Sequence, residues 1–157
     1  MKKAVEDKQY WLTVWSRDTW RDFLKAGGEV YGLPARYEKR AKQISIGDHL
    51  ICYMKGTSEF FAVLKVTSKS FWDNTQIWED DIYPVRFFVR EVIKAHTGIK
   101  ALDLLKQLSL YTRLANPSNP KSWGNHFHQS IRTWNREDSK LVIEALKQQV
   151  INERRRQ

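Results

Sequence analysis

Every strong β signal in this chain falls within its first 92 residues, and the helical signals flank or follow them. That order favours one small, strongly curved β-sheet or barrel with helices packed on it, in the α+β class. Tyr10-Trp11-Leu12-Thr13-Val14 is aromatic and β-branched and reads as a first strand. Ser16 then offers a helix N-cap, with Asp18 in the first turn. Trp20, Phe23 and Leu24 recur at helical spacing until Gly27-Gly28 ends the helix. Val30-Tyr31-Gly32-Leu33-Pro34 is a short extended stretch, and the charged segment from Arg36 to Lys42 reads as loop or short helix. Gly47-Asp48 turns the chain into His49–Met54, and Gly56-Thr57-Ser58 joins that run to Phe60–Val66 as a hairpin. Residues 68–82 form a long connection holding Phe71, Trp72 and Trp78. Pro84 opens a last β run, Val85 to Val92, with Arg86, Phe88, Arg90 and Val92 on one face and Val85, Phe87 and Val89 on the other.

Ala101 to Leu108 has helical periodicity, and Asn116 to Lys121, with two prolines, is a loop. Trp123, Phe127, Ile131 and Trp134 recur as on an amphipathic helix. A final helix is expected from about Glu137 to Gln149, with Leu141, Ile143, Leu146 and Val150 as its apolar side. The expected organisation is a flexible N-terminus over residues 1–8, a single domain over 9–150, and a frayed basic tail over 151–157.

At 157 residues the chain can bury one proper core. Apolar runs such as Phe60 to Leu64 fall far short of a bilayer span, and Met1-Lys2-Lys3 leads into acids instead of a signal sequence. Cys52, the single cysteine, lies in an apolar run and reads as a buried small hydrophobe, so a reducing cytoplasm is the expected setting.

Little in the sequence asks for catalysis. His126 and His128 are two residues apart and diverge on a helix, no cysteine pair exists, and no metal or cofactor is expected. Phosphate-loop, dinucleotide and nucleophile-elbow glycine patterns are absent. Glu79-Asp80-Asp81 reads as a solvated acidic run. What remains is seven tryptophans on a chain with 27 basic and 18 acidic residues, a net charge of +9. Indole faces stack on flat rings and a positive surface attracts phosphate, which points to a nucleic-acid partner and not a membrane.

The motifs Tyr10-Trp11, Tyr31-Gly32-Leu33-Pro34, Ile46-Gly47-Asp48, Tyr83-Pro84-Val85-Arg86 and Ser122-Trp123-Gly124, with the following Phe127, occur in that order. In this the chain resembles the EVE domain family of the PUA-like superfamily, related to the YTH readers, over about residues 9 to 149. The resemblance implies a PUA-like curved barrel of about five or six strands with flanking helices. It also implies a non-catalytic module that reads a modified base, a methylated or oxidised cytosine or a methylated adenine, in DNA or RNA. By the same resemblance Tyr31 and Trp78 are walls of an aromatic cage; many relatives carry Trp where this chain has Tyr31. EVE domains also occur fused to nuclease or ATPase modules, and the resemblance therefore implies a separate nuclease or ATPase partner.

The candidate ligand-binding residues are Trp15, Ser16, Tyr31, Gly32, Leu33, Trp72 and Trp78, with Trp78 expected at the pocket mouth. Lys39, Arg40, Lys42 and Arg86 are the candidate contacts to the nucleic-acid backbone. Two rivals stay open: an ASCH-type hydrolase of a modified nucleoside, which needs a lysine and an acid converging in the pocket, and a protein-interaction module. Lys55-Gly56-Thr57-Ser58-Glu59 lacks the Gly-x-Lys-x-x-Glu order usual in the former.

Overall fold

The computed structural model describes residues 8–109 and 131–156. The expectations for the N-terminus up to residue 7, for the 116–121 loop and for Trp123, Phe127, His126 and His128 lie outside these residues. Strand β1 (Tyr10–Trp15) leads into helix α1 (Arg17–Lys25), β2 (Val30–Leu33), a 3-10 turn (Ala35–Tyr37) and the short α2 (Glu38–Ala41). Then come β3 (His49–Met54), β4 (Glu59–Val66), the two-residue β5 (Phe71–Trp72) and the long β6 (Val85–Lys100). Helix α3 (Ala101–Leu104) continues into a 3-10 turn (Leu105–Gln107), and β7 (Ile131–Trp134) and α4 (Arg136–Arg155) close the described chain.

The strands form one sheet in the order β2-β6-β4-β3-β1-β7, with β5 pairing β6 off that path. It curls into a half-barrel flanked by helices, the α+β architecture the element order implies. Among the described strands only β1 and β3 run parallel. A parallel pair needs a crossover, and here the crossover carries α1, β2 and α2.

The two faces of the sheet bury different cores. Along β1, Trp11 and Trp15 point into one, with Trp20, Phe23, Tyr31, Phe61 and Phe87. Leu12 points into the other, with Ile51, Val63, Ile93, Leu104, Val142 and Leu146. A bulge serves this division. Cys52 pairs with Ala62 and Tyr53 with Phe60, so Phe61 is the extra residue. It joins Ala62 in the aromatic core while Phe60 faces the other. Asp48, fully buried, ties the start of β1 to the turn before β3. Its carboxylate accepts from the Gln9 amide (3.0 Å), the Trp11 indole (3.0 Å) and the Ser45 amide (2.9 Å).

Three expectations change. Ile131 and Trp134 lie on a strand, not a helix, paired with Thr13 and Tyr10 of β1. Positions three apart share a helix face but fall on opposite faces of a strand: Ile131 enters the aromatic core and Trp134 the aliphatic one. Strand β6 runs eight residues past Val92, with shifts of register against β4. Helix α4 runs to Arg155, where the Glu153 carboxylate accepts from the His96 and Thr97 amides of β6. Those bonds hold the Glu153 carboxyl below its usual range, the Thr97 amide foremost.

A candidate binding pocket between β1, β2 and the 73–83 loop

At the end of β1 the chain turns into α1 through a capping box. The Ser16 hydroxyl accepts from the Thr19 amide (3.1 Å), and the Thr19 hydroxyl oxygen accepts from the Ser16 amide (2.9 Å). Such a cap stabilises a helix by about 1 kcal/mol. It sets the angle at which α1 delivers Trp20 and Phe23 onto Trp15. Trp15 meets Trp20 edge-on at 5.0 Å between ring centroids, Phe23 at 5.1 Å and Tyr31 at 5.4 Å. Its indole donates to the Thr13 hydroxyl at 2.9 Å. Trp15 is thereby fixed from several sides.

Opposite stands Trp78. Its indole Nε1 donates to the Thr19 carbonyl at 3.1 Å, and the next amide, Glu79, donates to the Asp22 carboxylate at 3.2 Å. Tyr83 packs edge-on to it at 5.4 Å. Gly32 explains how this ring comes so close to β2. A Cβ there would lie 2.6 Å from Cζ3 of Trp78 and 2.9 Å from Cβ of Tyr83. Any larger residue would push the wall away.

Arg86 secures the same loop from behind. Its guanidinium lies 5.7 Å from the Trp78 ring centroid, in cation–π range. It donates to the carbonyls of Tyr83 (3.2 Å), Ile82 (3.1 Å) and Thr75, and it pairs with Asp73 at 3.4 Å. Tyr83 sits at φ 49°, a left-handed conformation rare outside glycine, directly before Pro84. Holding it there costs about 1–3 kcal/mol, which the surrounding contacts must offset.

These elements enclose a cavity of about 160 Å³. That is smaller than the roughly 300–1,000 Å³ of pockets for drug-sized ligands, a scale suited to one flat ring system. Trp15, Tyr31, Leu33 and Trp78 form buried walls. Ser16, Thr19, Pro34, Lys55, Asp80 and Tyr83 form the more accessible rim. Burial raises the Tyr31 phenol well above its ordinary pKa, and burial together with the Asp80 hydrogen bond raises that of Tyr83, so both stay neutral at physiological pH. Burial pushes the Cys52 thiol up to about 12, which leaves it unreactive. Among the described residues no group of three or more His, Cys, Asp or Glu could hold a metal ion, and no helix is long and apolar enough to cross a membrane.

Six of the seven expected ligand-binding residues, Trp15, Ser16, Tyr31, Gly32, Leu33 and Trp78, therefore line one pocket. The seventh does not. Trp72 is 53% exposed on β5, outside the cavity. Trp78 is 2% exposed, a built-in wall and not a loosely packed ring at the mouth. Ser16 spends its hydroxyl on the cap, donating to the Thr19 oxygen as well as accepting from its amide. Arg86 is 1% exposed and bound up with the loop, so it cannot reach a phosphate. Lys39, Arg40 and Lys42 are exposed on and just after α2, with one guanidinium nitrogen of Arg40 bound to the Ile131 carbonyl at 3.0 Å. Lys55, Asp80 and Tyr83 were missed as pocket residues. Lys55 reaches the rim because β3 runs parallel to β1 and pairs Met54 with Trp15, a juxtaposition no local pattern announces.

The model of the EVE domain matches residues 9–145. A UPF0310 protein of Pyrococcus abyssi is 27% identical over 150 residues, covering 87% of this chain and 99% of its own length. Among solved structures, the YTH domain of the Zygosaccharomyces rouxii MRB1 protein, in complex with N6-methyladenosine RNA, superposes with a TM-score of 0.64 at 15% identity, covering 94% of this chain and 92% of that one. Human THYN1 protein, in complex with DNA containing 5-methylcytosine, gives 0.60 at 12% identity, covering 89% and 98%. At these identities the likeness is one of fold.

Proposed function

Because this chain belongs to the EVE domain family, we propose that it is a nucleic-acid-binding module that reads a modified base, a methylated or oxidised cytosine or a methylated adenine, without catalysis of its own. The observation that carries this reading is the ring-sized cavity walled by Trp15, Tyr31 and Trp78. Domains of the same fold have been solved with methylated RNA and methylated DNA.

A base would leave a single strand, or flip from a duplex at a cost of a few kcal/mol, and enter between Tyr31 and Trp78. Stacking supplies about 1–3 kcal/mol. One extra methyl removed from water adds only about 0.8 kcal/mol. Discrimination must therefore come from the fit of fixed walls and from hydrogen bonds at the rim. With the Ser16 hydroxyl occupied by its cap, the groups placed for that work are Asp80, which can accept from an exocyclic amine, and Lys55, which can donate to a ring nitrogen, carbonyl or phosphate. Lys39, Arg40 and Lys42 would hold the backbone beyond the pocket.

The test is a titration of matched oligonucleotides with and without the modification, at rising salt. Replacing Lys39, Arg40 and Lys42 together by Ala should weaken both strands equally and flatten the salt dependence. A loss confined to the modified strand would contradict their assignment to phosphate.

One observation favours a second reading. Lys55 and Asp80 both line the pocket, which meets the requirement of a nucleoside hydrolase for a lysine and an acid. The Asp80 carboxylate accepts the Tyr83 hydroxyl and keeps further lone pairs that would serve either role. Incubation with modified nucleosides followed by chromatography separates the two: a binder returns the nucleoside intact.

A further inference from the structure

Trp72 is the one tryptophan among the described residues that is left open to solvent. Its exposure of 53% is not a sign of a loose loop. Strand β5 pairs Phe71 with Arg86 and Trp72 with Val85, and the Asp73 amide donates to the Pro84 carbonyl at 3.0 Å. Phe71 packs against Phe88 at 4.8 Å, and Phe88 is itself 49% exposed. The result is an ordered ledge, with Phe71 and Phe88 packed together on one face and Trp72, the next residue, exposed on the other. Just before it in the chain, Lys69 and Ser70 line a groove with Lys42, Ser45 and the exposed Ile46. Neither Lys42 nor Lys69 has a carboxylate within salt-bridge distance among the described residues. Lys8 adds a third cation beside that groove, its ammonium donating to the Ile46 carbonyl at 2.8 Å. Contacts connect the ledge to the pocket: Asp73, next to Trp72, pairs with Arg86, and Arg86 lies over the Trp78 wall.

An exposed stacking face beside unpaired cations is what a single strand requires, with bases on rings and phosphates on ammonium groups. We propose that the β5 edge is a second contact for nucleic acid, where Trp72 stacks on a base flanking the one in the pocket while Lys42 and Lys69, on the far side of Trp72 from the pocket, hold the phosphates that continue beyond it. This rests on the reading of the pocket given above. It assigns Trp72 to strand length and not to recognition of the modified base.

The experiment compares a free modified nucleoside, such as 5-methyldeoxycytidine or N6-methyladenosine, with short single strands carrying the same base and its unmodified counterpart. Wild type, Trp72→Ala, Trp72→Phe and the Lys42→Ala/Lys69→Ala pair are titrated by fluorescence anisotropy or tryptophan quenching, with thermal melts and sedimentation alongside. Trp72→Ala should fold normally, bind the free nucleoside as wild type does, and weaken the strands about tenfold, with the preference for the modified base intact. Trp72→Phe should recover most of the loss, because it restores a stacking face. Strand affinity unchanged in Trp72→Ala overturns the inference while the pocket reading survives. An equal loss for nucleoside and strand also overturns it, since Trp72 would then act through the pocket. A change only in sedimentation would make the ledge a surface for a second copy, again against it. If wild type binds no strand, both readings fall together.

Discussion

The two faces of the sheet solve different problems. On one, Leu12, Ile51, Val63 and Ile93 meet Val142 and Leu146 of α4, a mostly aliphatic layer that also holds Tyr53, Phe60 and Trp134 and is closed by a helix of 20 residues. On the other, Trp15, Trp20, Phe23, Tyr31 and Phe61 pack largely edge-on around one another beside Trp11, and among the described residues no long helix covers them. Branched aliphatic side chains fill space and leave little of it. Large flat rings held at steep angles leave slots, and the slot between Trp15, Tyr31 and Trp78 is the pocket. The same strand feeds both faces, so one side is packed against a long helix while the candidate pocket is built on the other.

Removing either wall tests that contrast. Trp78→Ala should give the largest effect, about 3–5 kcal/mol of stability, measured by denaturant titration, because the ring is buried and hydrogen-bonded to the Thr19 carbonyl. A variant as stable as wild type would mean that the wall is not part of the packed structure. Leu146→Ala on the opposite face should cost about 2–5 kcal/mol yet leave nucleic-acid affinity unchanged below its melting point. Coupled losses of stability and affinity there would erase the division between the faces. Gly32→Ala should cost about 1–3 kcal/mol through overpacking against Trp78. Its affinity should fall by more than its stability suggests, since the displaced ring is a pocket wall.

The smallest effect lies at the far end of α4. The folded-state pKa of Glu153 is lowered, so its contribution is present above the unfolded carboxyl pKa, about 4.3, and is lost as pH falls through the folded value. Glu153→Gln should cost a fraction of a kcal/mol near neutrality, because the group is largely solvated. The gap from wild type should close in acid, as thermal melts across pH would register. A gap that widened in acid would reverse the sign.

Local chemistry made much of the pocket face legible. Ser16 before a run of helix formers marks a cap, Gly27-Gly28 marks a stop, and Tyr31-Gly32-Leu33 announces a strand whose glycine admits a close neighbour. The features that escaped depend on partners distant in sequence. Ile131 and Trp134 have helical spacing, but β1 offered both an edge to pair with and a separate core for each ring or branched chain. Arg86 reads as a surface charge until a loop of carbonyls and Asp73 closes over it. Asp80 reads as part of a solvated acidic run, and only the fold sets it on the rim of the pocket that Lys55 also lines.

The most direct measurement is the affinity of the wild-type protein for matched single strands that differ only in one 5-methylcytosine, 5-hydroxymethylcytosine or N6-methyladenine, repeated with Tyr31→Leu, which keeps an apolar side chain but removes the stacking face. The account predicts tighter binding of one modified strand than of its plain counterpart, and a Tyr31→Leu variant that folds, keeps its salt-dependent binding and loses that preference. Equal affinity of the wild type for modified and plain strands, across all three bases, would contradict it.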